Sequence, residues 1–219
     1  MDFTPLLRYW PFLAQAWLVT IALTGLSILF GTLIAVPVAL ARTYGGRLIN
    51  GVLSVYVDSM RAIPLLVILV WTYFALPLTV GRALPPFTAA VIGLSAHLGA
   101  YMAEAIRSGL TSVRQGQMRA ALALGMSRFG AIRTIILPQA VIRMLPPIGS
   151  VLVFAIKDSA LASVIAVPEI IRQSQVLSGL TYRSFEVYTV AMGIYFVMCY
   201  PLARGVDRIY RRVAHLGAS

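Results

Sequence analysis

Residues 9–41 read YWPFLAQAWLVTIALTGLSILFGTLIAVPVALA, 33 consecutive positions without a formal charge. A helix of that length measures about 50 Å, whereas a hydrocarbon core about 30 Å thick is crossed by about 20 apolar residues. Pro11 is expected to divide the run into an interfacial leading helix rich in aromatics (Tyr9, Trp10, Phe12, Trp17) and a true span from about Ala16 to Ala41. The fold class follows from this one stretch: an all-α membrane protein.

Working outward, the composition agrees. Hydrophobic residues make up 59% of the chain and charged ones 11%, against about 25% charged in a soluble domain. That excludes an ordinary soluble globule, and the high hydrophobicity excludes disorder. Three further uncharged runs have span length or nearly so: Ala62 to Gly81, Ala83 to Ala103, and Val187 to Ala203 with Tyr188, Tyr195 and Tyr200 as interfacial ends. Between them the stretch Met144 to Ile156 is followed by Lys157, Asp158 and then Ser159 to Pro168. A span there either begins before Arg143, with that arginine snorkelling, or accepts Lys157 and Asp158 within the membrane. The count is about five transmembrane helices.

Lys157 is the single lysine among 18 basic residues, and the formal charge is +11. Numbered in order from an external N-terminus, the spans place Arg42, Arg47, Arg61, Arg107, Arg114, Arg119, Arg128, Arg133, Arg143, Arg204, Arg208, Arg211 and Arg212 inside, 13 against 5 outside. Short loops rich in arginine stay in the cytoplasm, so the expected orientation is N-out, C-in. The charge is then a record of topology and not of nucleic-acid binding. Met1 to Arg8 lacks the charged, apolar and small-residue order of a cleaved signal and reads as a retained N-terminus. Cys199 lies within an apolar run and reads as a small buried hydrophobe. No paired repeat of the kind seen in secondary transporters is visible, so residues 1–219 are expected to form one transmembrane domain.

The largest polar insert, at about 107–143, is cytoplasmic on this topology. Within it Gln117 to Gly125 is built from helix formers and closes on glycine, the usual left-handed stop. Ser127 is placed to cap a second helix running toward Pro138. A two-turn helix is unstable alone in water, and Met118, Ala121 and Leu122 share one face, suited to a groove on another protein.

The order Ala120-Ala121, Gly125, nine residues, then Ile135-Ile136-Leu137-Pro138 resembles the cytoplasmic EAA loop of ABC-importer permeases. Residues 100–110 (AYMAEAIRSGL), residues 61–66 (RAIPLL) and residues 156–161 (IKDSAL) resemble the polar amino acid permease family of those importers, and the likeness covers about residues 16 to 210. The resemblance implies a type I ABC-importer (MetI-like) fold and a transmembrane subunit, not an enzyme, that forms the path for a polar or charged amino acid. It also implies multi-pass residence in the bacterial cytoplasmic (inner) membrane. Partners so implied are ABC ATPase subunits, a second permease subunit and a periplasmic or lipid-anchored solute-binding protein. The ATPase-coupling residues so implied are Arg119, Ala120, Ala121, Leu124, Gly125, Ile135, Leu137 and Pro138. Two positions depart from the pattern: Arg119 stands where the family usually has the glutamate that names the loop, and Arg114 stands near a usual Ser-Val-Pro turn. A cation at a helix start opposes the helix dipole.

No G-x-x-x-x-G-K-[ST] phosphate loop occurs in the sequence, so no cofactor is expected in this chain and ATP is expected on a partner. Alternatives at this stage are a methionine-type permease and, from another class, an ion-coupled secondary transporter. Charges in membrane are costly, which singles out three path candidates. Glu104 either faces a polar path or pairs with Arg107 at i+3. Lys157 and Asp158, about 100° apart on a helix, either offer complementary charges to a free amino acid or form a re-entrant turn at the outer surface. Asp58 and Arg61 read as a structural pair at the cytoplasmic mouth of the second span. His97 reads as a hydrogen-bonded interior residue, and with one other histidine in the chain a metal site is not expected. Gly93, Ala96 and Ala100 permit close helix approach.

Overall fold

The computed structural model describes residues 8–113 and 115–214, with the Gln115 side chain left out. The Met1–Leu7 segment and Arg114 lie outside the described residues. All regular structure among the described residues is helical. The first helix, α1, is continuous over Trp10–Tyr44. The expected division at Pro11 does not occur, because Pro11 sits in the first turn, where its missing N–H has no intrahelical partner to lose.

Helix α2 (Arg47–Ala62) is followed after Ile63 and Pro64 by α3 (Leu65–Val80), whose axis turns by 105° from that of α2. A π turn at Trp71–Ala75 lies inside α3 ahead of Pro77. Next come α4 (Pro86–Ser112), the short α5 (Gln115–Ala123) and α6 (Arg128–Ala131). A second π turn, Ile132–Ile136, leads into α7 (Leu137–Asp158). A 3₁₀ segment, Ser159–Ile165, then precedes α8 (Ile170–Thr181) and α9 (Ser184–Val213).

The relative directions of these helices settle the span count. Leu23 shares a buried cluster with Ala89, Ala90 and Leu94, near the start of α4. Ala35 and Ala39 share one with Ala100, Met102 and Ala103 further along, and Arg42 reaches Glu104. Helices α1 and α4 are therefore parallel, and the chain recrosses the membrane between them, as the bent pair α2–α3. Together with α7 and α9 this makes five crossings. Close approach of α1 to α4 rests on paired glycines: a Cβ on Gly31 would lie 3.3 Å from Gly99 N and Ser95 O, and one on Gly99 would lie 3.2 Å from Gly31 O. Small residues at such crossings let backbones touch and gain dispersion where lipid supplies no hydrophobic drive.

Helix α7 runs antiparallel to α4, since Gly109 meets Ala140 and Met144 while Ala100 and Ala103 pack near Val151 and Ala155. It is antiparallel to α9 as well, with Gly149 seated against Val206. The fourth span thus begins before Arg143, whose guanidinium donates to the Ser112 carbonyl at the end of α4. The second span differs from the run 62–81: its first half is α2, and the uncharged run supplies only α3.

Candidate functional site

Helix α2 stops at mid-depth, level with the middle of α4, and the stop follows from Pro64. Proline has no N–H to give the carbonyl four residues earlier. That carbonyl, of Met60, is instead bonded at 3.0 Å by Nδ1 of His97, the interior role its sequence context indicates. A carbonyl only accepts, so in the neutral imidazole Nδ1 holds the proton. The Arg61 carbonyl, also freed by the break, receives the Tyr101 hydroxyl at 3.4 Å, and Tyr56 Oη donates to the Ala96 carbonyl at 2.7 Å. Two polar side chains, His97 and Tyr101, thus replace helix hydrogen bonds in a region where irregular backbone is tolerated only if protein or a cavity lies beside it.

A cavity does lie beside it. Of about 370 Å³, it is lined among others by Arg61, Pro64, His97, Tyr101, Phe154 and Asp158. The Arg61 guanidinium stacks over the Tyr101 ring, 5.5 Å from its centroid, so the expected Asp58–Arg61 pair at the cytoplasmic mouth is replaced by a cation at mid-membrane. Lys157 and Asp158 part company as their 100° separation requires. Asp158 lines the cavity, while Lys157 lies over Phe154 on the flank facing α9. The 3₁₀ segment after them packs into the outer half of the bundle, where Ala162 and Ile165 join Leu23, Ala90 and Leu94. Glu104 is bound on two sides: Arg42 of α1 reaches Oε2 at 2.8 Å, and Arg107 chelates both oxygens, with Nε at 3.1 Å. The i+3 partner is the one the spacing indicates; Arg42, 62 residues away, is not visible in sequence.

A second charge escaped the sequence reading. Glu169 is fully buried and caps α8, accepting from Ile171 N at 2.8 Å and Arg172 N at 2.7 Å, with Tyr195 Oη donating at 3.0 Å. Its signal was an acid directly after Pro168 and before a helical run. The signal for Arg61 was Pro64, three residues on, at the edge of an uncharged run.

At the loop end of the bundle, α5 closes as its composition indicates. Gly125 adopts φ +81°, with Met126 N bonded to Ala121 O at 3.1 Å and Gly125 N to Leu122 O at 3.0 Å, the Schellman pattern. Ser127 caps α6 through Gly130 N at 3.1 Å. The Leu-Pro of the motif follows the π turn, where Leu137 N donates five residues back to Ile132 O. The face expected to meet a partner is corrected in part: Met118 packs against the cluster of Val113, Ile136 and Met144 and Ala121 is buried in its own chain, while Leu122 stays exposed. Gln139 Nε2 bonds Gln117 Oε1 at 2.6 Å, fixing α5 to α7. The outward surface comprises Arg119, Ala120, Leu124 and Phe129, with Leu124 83% and Phe129 73% exposed. Ile135 is half-buried, while Leu137 and Pro138 are exposed.

Five spans, a mid-membrane helix break and a stapled loop helix define a permease of the binding-protein-dependent class. The family profile "Binding-protein-dependent transport system inner membrane component" matches residues 27–215, and the chain belongs to that family. It is therefore a multi-pass inner-membrane subunit of an ABC importer and not an enzyme. It is 36% identical over 204 residues to the glutamine transport system permease GlnP of Escherichia coli K12, covering 93% of each chain. To the L-cystine transport system permease TcyB of Bacillus subtilis it is 37% identical over 206 residues, covering 94% of this chain and 88% of the other. A crystal structure of an amino acid ABC transporter with histidines superposes with a TM-score of 0.90 at 35% identity, over 97% and 99% of the two chains. An inward-facing MetNI methionine transporter, at 21% identity and TM-score 0.80, shows the shared fold. These likenesses support the importer and not the ion-coupled or methionine-type alternatives.

Proposed function

We propose that this chain conducts an amino acid and that the cavity at the α2–α3 break is where the solute pauses. The observation that carries the reading is a cation and an anion, Arg61 and Asp158, lining one mid-membrane cavity beside unwound backbone. A free amino acid presents a carboxylate and an ammonium. Arg61 offers a planar fork for the first and Asp158 an acceptor for the second. Tyr101 orients Arg61 from below its plane, and His97 holds the backbone open. Lys157 and Glu104, engaged elsewhere, belong to the scaffold in this reading. Glutamine and cystine, named for the two relatives, are both free amino acids of uncharged or neutral net side chain, which fits a balanced pair of charges.

Energy comes from a separate ATPase docked on the α5–α6 surface, led by Arg119, Ala120, Leu124 and Gly125. Ile135, Leu137 and Pro138 carry its movement into α7, which bears Asp158 at its far end. ATP is bound on that partner. A second permease subunit closes the path, and a periplasmic or lipid-anchored binding protein delivers the solute. Rigid-body rocking then exposes the cavity to each side in turn. The test is uptake in proteoliposomes holding the permease, its ATPase and the binding protein. Arg61→Gln and Asp158→Asn are each expected to lower uptake by about 10-fold or more, the worth of a charged hydrogen bond, with ATPase association unchanged. Uptake at the unmodified rate in both variants overturns the assignment.

A further inference from the structure

Helix α9 carries a feature that transport does not use. From Met192 to Arg211 one face changes from apolar to aromatic to cationic at steps of three or four residues. Met192 and Phe196 are exposed at 68% and 62%. Phe196 stacks on Tyr200, with centroids 5.1 Å apart and planes at 21°. Arg204 then lies over the other turn of the ladder, its guanidinium 5.3 Å from the Tyr200 centroid. Arg208 and Arg211 continue at i+4 and i+7 from Arg204, the spacing of a single helical face. Pro201 lies within the helix, where proline has no N–H for the ladder. There a cavity of about 490 Å³ opens, lined by Tyr200, Pro201, Arg204, Asp207, Arg208 and Arg211.

Asp207 shares this cavity, yet among the described residues no ion pair joins it to Arg204, Arg208 or Arg211. Arg204, Arg208 and Arg211 therefore line the cavity without a carboxylate partner among the described residues. Packing of Gly149 against Val206 and the antiparallel course of α7 and α9 place it at the same end of the bundle as the coupling loop.

We infer that this face binds an anionic phospholipid, its headgroup phosphate held by Arg204, Arg208 and Arg211 and its acyl chain lying along Tyr200, Phe196 and Met192. The order of chemistries along the helix is that of an amphiphile aligned with the membrane normal: hydrocarbon, then aromatic at the interface, then cation at the phosphate. A docking protein would ask for no such gradient, and free phosphate would leave the exposed Phe196–Tyr200 stack without a role. Each arginine near an anionic headgroup strengthens binding by about fivefold.

The test uses the full chain co-purified with its ATPase subunits from detergent, with bound lipid counted by native mass spectrometry after exchange with phosphatidylglycerol. Wild type is expected to retain phosphatidylglycerol over phosphatidylcholine. The variant R204Q/R208Q/R211Q should weaken retention by about fivefold per arginine, and R204K/R208K/R211K should fall between, keeping charge without the fork. ATP hydrolysis in phosphatidylcholine vesicles, equal in all three, verifies folding. Full lipid retention by the glutamine variant overturns the inference. Displacement of the lipid by millimolar inorganic phosphate overturns it in favour of a free-anion site, and loss of the ATPase with lipid retained overturns it in favour of a protein contact.

Discussion

Removal of the Glu104 carboxylate exposes how α1 is tied to α4. Arg42 has only 8% of its side chain exposed, against 21% for Glu104 and 33% for Arg107. Its Nε is already buried without a partner. Glu104→Ala therefore strands a nearly buried guanidinium, for which the cost in a fully buried pair is about 3–5 kcal/mol. Partial access at Glu104 argues for the lower end, about 3 kcal/mol. The half-exposed Arg107 contact adds about 0.5 kcal/mol. For a chain of this size the sum, about 3.5 kcal/mol, corresponds to a fall in Tm of about 7–14 °C. Removing both charges avoids the stranded ion, so R42M/E104M is expected within about 1 kcal/mol of wild type. The assay is thermal unfolding in detergent, followed by near-UV dichroism, for both singles and the double. Equal destabilisation of E104A and the double variant would refute the reasoning. So would an unchanged Tm with selective loss of cationic-solute uptake, which would return Glu104 to the translocation path.

Three further outcomes are expected. At Gly125 a Cβ would meet nothing within 4 Å, and the constraint is φ alone. ATPase affinity, read by titration of the purified permease, should fall in the order Gly, Asn, Ala, with Ala weaker by up to about 5–30-fold for 1–2 kcal/mol of left-handed strain; Asn weaker than Ala contradicts this. Pro64→Ala restores an N–H to the Met60 carbonyl and releases His97; uptake should fall at least about 10-fold with Tm unchanged or higher, and retained uptake would show that the break is not needed. Gly99→Val forces bulk onto the Gly31 carbonyl and Ile34; Tm should drop with a cost of about 1–3 kcal/mol, whereas Gly116→Ala, open on all sides, should be neutral.

What could be read from sequence and what could not divide along the range of the interactions. The Gly125 stop and the Ser127 cap are local, and each appears in the structure where the pattern put it, whereas the uncharged run 62–81 supplies only half of its span. Pro11 was misjudged because its effect depends on where the helix starts, a matter of one turn. The i+3 partner of Glu104 was legible, whereas Arg42 required knowing that α1 and α4 run parallel. Amphipathic spacing put Met118, Ala121 and Leu122 on one face, but only the packing of α7 tells that Met118 and Ala121 turn inward while Leu122 stays exposed. Arg61 was assigned to the wrong depth for the same reason: its uncharged run begins at a break, not at a membrane surface. Between Lys157 and Asp158, the 100° separation was known and the direction of the cavity was not.

The π turn at Ile132–Ile136 has a genetic consequence. It holds one residue more than the α turn it replaces, and that residue sets the phase between the loop helices and α7. Deleting a single codon there would let the ladder close as ordinary α-helix. Arg119, Leu124 and Phe129 would then swing by about 100° and shift by about 1.5 Å relative to α7. Every residue of the proposed docking surface would still be present, but aimed in another direction. Across this short segment the length of the chain is under tighter constraint than its spelling, so substitutions should be found where insertions and deletions are not.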